Sequence, residues 1–203
     1  MGHREKVYID GVQAPSVTEV LGIVRKPFLE FWRGKLGNAK CETILRESQD
    51  IGHEIHEAIE CYFQGQPLPE MGQQSLRMFA HFREWAMRTG ASPIDLELQM
   101  QSNEYKFHGT CDAVLEIDGK LLMADWKTSS AVDKLYGAQL AAYAQMYKEI
   151  SGKEITEGLI VRMDKKETSK KQFEVKEFHD LPRYFEVFKA CLAVHNFVNG
   201  KDA

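Results

Sequence analysis

The sequence predicts a mixed α/β (α+β) fold in which helices come first and a central mixed sheet, flanked by helices, follows. Three observations carry that expectation. Apolar residues recur at helical spacing up to about residue 90. From residue 94 the pattern changes to alternation, with Ile94, Leu96, Leu98 and Met100 separated by Asp95, Glu97, Gln99 and Gln101. Asp118-Gly119 then divides two strand-like runs, a strong signal for a two-residue hairpin turn. The 203 residues suit one domain, with a mainly helical N-terminal part (1–90) and a sheet-containing core (91–203).

Val7 to Ile9 reads as a short strand ending at Asp10-Gly11. Pro15-Ser16 reads as a helix entry, with Ser16 or Thr18 as N-cap and Glu19 in the first turn. Residues from about 28 to 49 are expected to be helical with a break near residues 34–38, and a separate helix is expected over residues 52–63. On that helix Ile51, Ile55, Ala58, Ile59 and Tyr62 share one face. Two prolines and two glycines make residues 64–72 a loop. A helix over 73–89 would bury Leu76, Phe79, Ala80, Ala86 and Met87. Strands are expected at 107–117 and 120–127, a helix at 135–150, strands at 155–163 and 172–178, and a closing amphipathic helix at 181–198. The connection from Lys127 to Ile155 is long enough for a right-handed crossover to a parallel strand.

Composition narrows the function classes. No apolar run approaches the roughly 18 residues of a membrane span. Cys41, Cys61, Cys111 and Cys191 form no C-x-x-C pair, which argues against a zinc ribbon and for a reducing, intracellular setting. A formal net charge of −4 does not suit a protein that coats DNA by charge alone. An enzyme whose carboxylates are neutralised by the ions they hold can differ, so the charge weighs against DNA binding without excluding it.

The hairpin arithmetic points to chemistry. With Asp118-Gly119 as the loop, paired positions sum to 237, so Asp112 stands across from Asp125, Cβ atoms about 4.5–5.5 Å apart. Two facing carboxylates repel, and a divalent cation would compensate them. Lys127 projects from the same face as Asp125, and Trp126 from the opposite one. If Asn103-Glu104 is a second two-residue loop, pairs sum to 207 and Glu97 lies opposite Thr110. Glu97 is then a candidate third acid. Gln139 and Tyr143, four apart, share a helix face and could support a ligand.

Taken together, these residues resemble the PD-(D/E)XK nuclease superfamily, in particular its RecB-type exonuclease branch, which includes phage and mitochondrial genome-maintenance nucleases. The matching segments are the acid strand at Glu97, G-T-x-D at Gly109 to Asp112, D-W-K-T at Asp125 to Thr128, and Q-x-x-x-Y at Gln139 to Tyr143. Upstream, Gly52 to His56 is similar to the branch's G-x-x-x-H segment, and Pro15-Ser16-Val17-Thr18 to the opening of its phage and mitochondrial members. The resemblance implies a restriction-endonuclease-like core and a metal-dependent DNA exonuclease. It implies His56, Asp112, Asp125 and the backbone carbonyl of Trp126 as ligands to Mg²⁺ or Mn²⁺, with Glu97 as an addition. By the same resemblance Lys127 orients or deprotonates the attacking water and stabilises developing charge. Gln139 and Tyr143 support the site, joined by Thr110 and Thr128 within the strand motifs. Cys111 stands where the superfamily's name has proline. The iron–sulfur cysteines of some relatives are absent, so no iron–sulfur cluster is expected. DNA, as a single strand or duplex end, is the implied partner, with recombination or replication proteins beside it. The implied setting is a bacterial or phage-infected cytoplasm, with an organelle matrix second, in repair, recombination or phage DNA processing.

Plainer readings stand beside these. An isolated D-x-K on a strand is usually a solvated face, and it is the opposed Asp112 that changes the reading. His56 has His53 as a rival, and Glu60 reads as either a helper of the site or a solvated side chain. Tyr143 could be core packing. The Lys165-Lys166 and Lys170-Lys171 pairs could grip a phosphate backbone or be a solvated loop. Phe28, Phe31 and Trp32 read as core, with an exposed aromatic stacking on an unpaired base as the other reading. A structure-specific endonuclease of the same fold and a non-catalytic nucleic-acid-binding subunit are the alternative functions.

Overall fold

The structure, a computed structural model, describes residues 6–24 and 37–200. The expected break at 34–38 and the core assignment of Phe28, Phe31 and Trp32 therefore fall wholly or largely outside the described residues. A small hairpin opens the chain, β1 (Tyr8–Ile9) paired antiparallel with β2 (Val12–Gln13). Asp10 and Gly11 both have positive φ, as a mirror-image turn requires. Helix α1 (Val17–Leu21) starts at Ser16, whose hydroxyl accepts the Glu19 N–H while the Glu19 carboxylate accepts the Ser16 N–H. This reciprocal cap satisfies two donors that the helix start would otherwise strand.

Helix α2 (Asn38–Phe63) is continuous. The sequence pattern predicts a helix start at Gly52; instead Gly52 lies inside α2, where a glycine costs about 1 kcal/mol relative to alanine without breaking the helix. Its apolar face is the expected one, with Ile55, Ala58 and Ile59 fully buried. Helix α3 (Gln73–Thr89) corrects another expectation. Its buried stripe is Ser75, Met78, Phe79, Phe82, Trp85 and Ala86, and Leu76 and Met87 face outward. Burying Phe82 and Trp85 removes far more apolar area than burying Leu76 and Met87, so the aromatic stripe sets the helix's rotation.

The main sheet has the order β3 (Ser92–Ser102), β4 (Phe107–Ile117), β5 (Lys120–Lys127), β6 (Glu157–Met163), β7 (Phe173–His179). All neighbours are antiparallel except β5 and β6, which run parallel. Helix α4 (Leu135–Ser151) makes the crossover between them, as the long connection led one to expect. Helix α5 (Leu181–Val198) follows β7. Gly158 on β6 lies so close to β5 that a Cβ there would meet the Met123 carbonyl oxygen at 2.6 Å.

Two apolar layers sandwich this sheet. On one side α1, α4 and α5 bury Val17, Val20, Leu140, Met146, Phe185 and Phe188. On the other, α2 and α3 bury Ile55, Ile59, Phe79, Phe82 and Trp85 against Trp126.

The β4–β5 register is the expected one, Ile117↔Lys120 through Ala113↔Ala124. Asp118 and Gly119 form the turn, both at positive φ. The β3–β4 register is not. Ser102 pairs with Phe107, so the loop has four residues, and Gln99 rather than Glu97 lies opposite Thr110. The same register brings Glu97 opposite Asp112. Asn-Glu is a poor two-residue turn, and the loop is held from outside: Glu149 of α4 accepts the Ser102 hydroxyl at 2.7 Å and the Asn103 N–H at 2.9 Å.

Neither strand keeps its alternation. Leu96 packs against the α2/α3 layer, whereas Leu98 and Met100 pack against the α1/α4/α5 layer. On β4, Ala113 belongs to the first and Cys111 to the second. A further irregularity between Pro93 and Asp95 leaves Ile94 exposed, against the expectation of a buried face. Glu97 has φ 45, a left-handed backbone that interrupts the pleat. Both strands thus change face at Glu97 and Asp112, where the cluster described next is found.

Candidate active site

Strands β4 and β5 stay paired to Ala113↔Ala124 and then separate. Into the opening goes the Asp112 carboxylate, whose Oδ2 accepts the Trp126 N–H at 2.6 Å. A side-chain oxygen replaces a backbone carbonyl there, which pins Asp112 at the mouth of the opening. From the α2 side His56 reaches in. Its Nε2 lies 3.2 Å from the Trp126 carbonyl oxygen, and its Nδ1 lies 3.6 Å from Asp112 Oδ1 and 3.8 Å from Glu97 Oε1. One ligand atom each from His56, Glu97 and Asp112 falls within 4.8 Å of the others.

Asp125 faces the opposite layer. Its carboxylate forms an ion pair with Lys127 and accepts the Gln139 side-chain N–H at 3.1 Å. Gln139 also donates to the Tyr143 hydroxyl at 3.0 Å, so the two α4 residues form one buried brace behind Asp125. The Lys127 ammonium lies 5.2 Å from the centre of the Tyr136 ring. Of the sequence-derived residues, the structure thus gathers His56, Glu97 and Asp112 in one cluster, with the Trp126 carbonyl at its edge. It gathers Asp125, Lys127, Gln139 and Tyr143 in an adjoining one. Thr128 packs by α2, its hydroxyl 3.5 Å from where a Gly52 Cβ would be. Thr110 lies apart, in an outer groove with Gln99, Gln101 and His108. His53 lines the cleft beside α2 with Glu57 and Glu60 but is not in the three-residue cluster.

Charge in so confined a space shifts protonation. Burial, and then the Asp125 charge, push the Asp112 carboxyl up to about 7 against the pull of His56, Lys127 and the Trp126 N–H. Burial alone would lower the His56 imidazole; Asp112, Glu97 and Asp125 outweigh it and raise it to about 9. Lys127 behaves likewise, its burial outweighed first by Asp125 and then by Asp112, so its ammonium is held more firmly than usual. The phenol of Tyr143 is raised, by burial foremost. Asp112, Glu97 and Asp125 together outweigh Lys127 at His56 and favour its protonated form. One imidazole nitrogen and two carboxylate oxygens are a donor set that can hold a divalent cation. The residues present fit a divalent cation.

Sequence reasoning missed two features of this neighbourhood. Tyr136, three residues before Gln139, could have been found on the same helix face. Arg162 is 1% exposed and sits on β6 opposite Lys127. It donates to the carbonyls of Ser129 and Lys171 and to Asp164 and Glu174, tying the loop after β5 to the loop after β6. Its signal was a lone cation in an apolar strand. Lys165 is no free cation either: its ammonium donates to the Ser48 carbonyl and hydroxyl.

Against known proteins, the profile of the PD-(D/E)XK nuclease superfamily matches residues 28–200. The chain belongs to that superfamily, and it is a nuclease. Among solved structures it is similar to a Eubacterium rectale protein named as a candidate exonuclease. The two are 14% identical with a TM-score of 0.50, over 77% of this chain and 69% of that one. The crystal structure of SSO0001 also aligns, at 13% identity and TM-score 0.44, over 92% of this chain and 79% of that one. No curated protein matches the sequence. The shared architecture is the restriction-endonuclease-like one, a five-stranded mixed sheet between helices. Among the described residues no helix is long and apolar enough to cross a membrane.

Proposed function

We propose that the chain is a Mg²⁺- or Mn²⁺-dependent deoxyribonuclease of the RecB-type branch that degrades DNA from an end. The observation that carries the reading is the approach of His56, Glu97 and Asp112 to within 4.8 Å, beside the Asp125–Lys127 ion pair. The order of the G-x-x-x-H, G-T-x-D, D-W-K-T and Q-x-x-x-Y segments supports the branch, and the branch supports attack from an end.

His56, Glu97 and Asp112 would hold the cation, with Asp125 as the next carboxylate. When bound, that cation supplies Lewis acidity toward a phosphoryl oxygen and the attacking water. The chain's own part is positional and electrostatic. Asp125, braced by Gln139 and Tyr143, holds Lys127 as an ammonium. Lys127 orients the attacking water and stabilises the negative charge that develops on the phosphoryl oxygens. The Trp126 N–H fixes one oxygen of Asp112, leaving the other directed at His56.

The test compares end-labelled linear DNA with covalently closed circular DNA, each with Mg²⁺, Mn²⁺ or EDTA. Degradation of the linear form alone, abolished by EDTA, is expected. Cleavage of circles would favour an endonuclease of the same fold. DNA binding with no metal-dependent loss of either substrate would refute catalysis and favour a binding subunit.

A further inference from the structure

A groove of about 670 Å³ opens beside the loop that follows β5, between that loop, β6, β7 and the start of α5. Ser130, the first residue of its lining, is three residues past Lys127, hence within about 10 Å of it along the chain. The lining carries four cations, Lys134, Arg162, Lys171 and Lys176, against two acids, Asp133 and Glu174. Both acids are already engaged. Asp133 accepts the Leu135 N–H, and Glu174 pairs with Arg162 and Lys171. Lys134 and Lys176 form no ion pair among the described residues. The chain as a whole is net −4, so this concentration of positive charge runs against the average.

The cleft on the other side of the cluster is the reverse. Its lining includes Glu57, Glu60 and Glu97, with His53 and His56. A polyanion approaching the Asp125–Lys127 pair meets repulsion from the α2 side and attraction from the β6–β7 side. The basic groove is also held firmly in place. Arg162 spends its guanidinium on the Ser129 and Lys171 carbonyls, Asp164 and Glu174, which fixes both loops that form the walls. That leaves Lys134 and Lys176 without an ion pair among the described residues, in a preset frame, with the exposed Lys171 shared with Glu174 and the Ser130, Ser169 and Tyr184 hydroxyls among them.

We propose that this groove binds the phosphate backbone of the nucleic-acid strand flanking the scissile bond, and so sets the side from which the strand leaves the site. The inference rests on the nuclease reading above. The ligand chemistry is a run of phosphodiesters, contacted by ammonium and hydroxyl groups without reading bases.

The experiment measures binding of a fluorescent 20-nucleotide single strand by anisotropy, in EDTA so that no hydrolysis occurs, across a salt series. Wild type is compared with the triple variant Lys134→Gln/Lys171→Gln/Lys176→Gln. A control removes equal charge at the far end of the sheet and of α4, Lys120→Gln/Lys148→Gln/Lys153→Gln. Each phosphate that a lysine no longer neutralises lowers the slope of log K against log salt by about 0.7 for a single strand. The groove variant should lose roughly 2 from the slope and bind at least tenfold more weakly, whereas the control should stay near wild type. Circular dichroism and Mn²⁺ titration should be the same for all three proteins. Equal losses in the groove variant and the control, or none in the groove variant, would overturn the proposal. Inhibition of strand binding by millimolar inorganic phosphate alone, with no dependence on strand length, would show an isolated anion site and overturn it as well. Linear-DNA hydrolysis by wild type is scored separately. Hydrolysis with no groove effect rejects the groove and keeps the nuclease. A groove effect without hydrolysis rejects the catalytic reading and keeps the groove.

Discussion

Replacing Asp112 by asparagine should make the metal-free protein more stable while destroying its metal site. The substitution keeps the shape and leaves a side-chain carbonyl to accept the Trp126 N–H. What it removes is a buried charge beside Asp125. The Asp112 carboxyl stands at about 7 in the folded protein against an ordinary value of 3.8. Each tenfold displacement corresponds to about 1.4 kcal/mol, so the ionised side chain costs the fold up to roughly 4 kcal/mol. The sign follows from the direction. A carboxyl raised on folding costs nothing below its unfolded value, costs progressively more between 3.8 and about 7, and carries the full penalty above that. Asp112→Asn should therefore melt higher than wild type at pH 8 in EDTA, by several degrees at about 2–4 °C per kcal/mol for a chain of this size. At pH 4 the two should melt together. Saturating Mn²⁺ should close most of that gap, because a ligand at 100 times its dissociation constant adds about 2.7 kcal/mol to wild type and nothing to the variant. Thermal unfolding followed by circular dichroism gives all four values. A variant that melts below wild type at pH 8 in EDTA would show that the Asp112 charge is satisfied in the apo fold, and the electrostatic account would fail.

Three further outcomes are expected. Lys127→Met should cut hydrolysis of linear DNA by at least a hundredfold and destabilise the apo protein by about 3 kcal/mol, since Asp125 is left as a buried charge facing Asp112; unchanged turnover in a labelled-end assay would contradict its role. Gly158→Ala should lower the urea midpoint by the equivalent of about 1–3 kcal/mol, because the added Cβ meets the Met123 backbone oxygen and one of the two paired strands must shift; a neutral result would mean that the sheet spreads freely at this pair. Mn²⁺ binding should strengthen from pH 6 to pH 9 and release protons, since His56 at about 9 and Asp112 at about 7 must lose them to act as ligands. Calorimetry in two buffers of different ionisation heat measures that release, and a heat independent of buffer would exclude it.

The hairpin at Asp118-Gly119 was legible because its turn chemistry and its strands' patterns agree, and the register it implies is the observed one. The β3–β4 connection was not. Its loop is shaped by Glu149, forty-seven residues past Ser102, and no local pattern reports such a contact. The same limit hid the face change at Glu97. Its left-handed backbone falls on an ordinary-looking glutamate, so the alternation of Ile94 to Met100 seemed unbroken. Glu97 does come near His56 and Asp112, though for a different geometric reason: it lies opposite Asp112, not Thr110. Helix orientation was legible where one face was plainly apolar, as at Ile55 and Ile59, and misleading in α3, where apolar residues occur on two faces. Arg162 was overlooked because its partners come from three separate loops and strands.

The parallel pairing of β5 with β6 has a consequence for when activity can first exist. The segment with Asp125 and Lys127 is bordered on one side by a strand from which it has already parted, and on the other by residues 157–163. Until the ribosome has delivered β6, the ammonium and its carboxylate have no continuous neighbour to hold them, although His56, Glu97 and Asp112 have all been made. A nascent chain, or a fragment cut in α4, would thus carry the residues of the cluster without the frame that aligns them. The ion pair beside the cluster is framed on both sides only after residues 157–163 are in place.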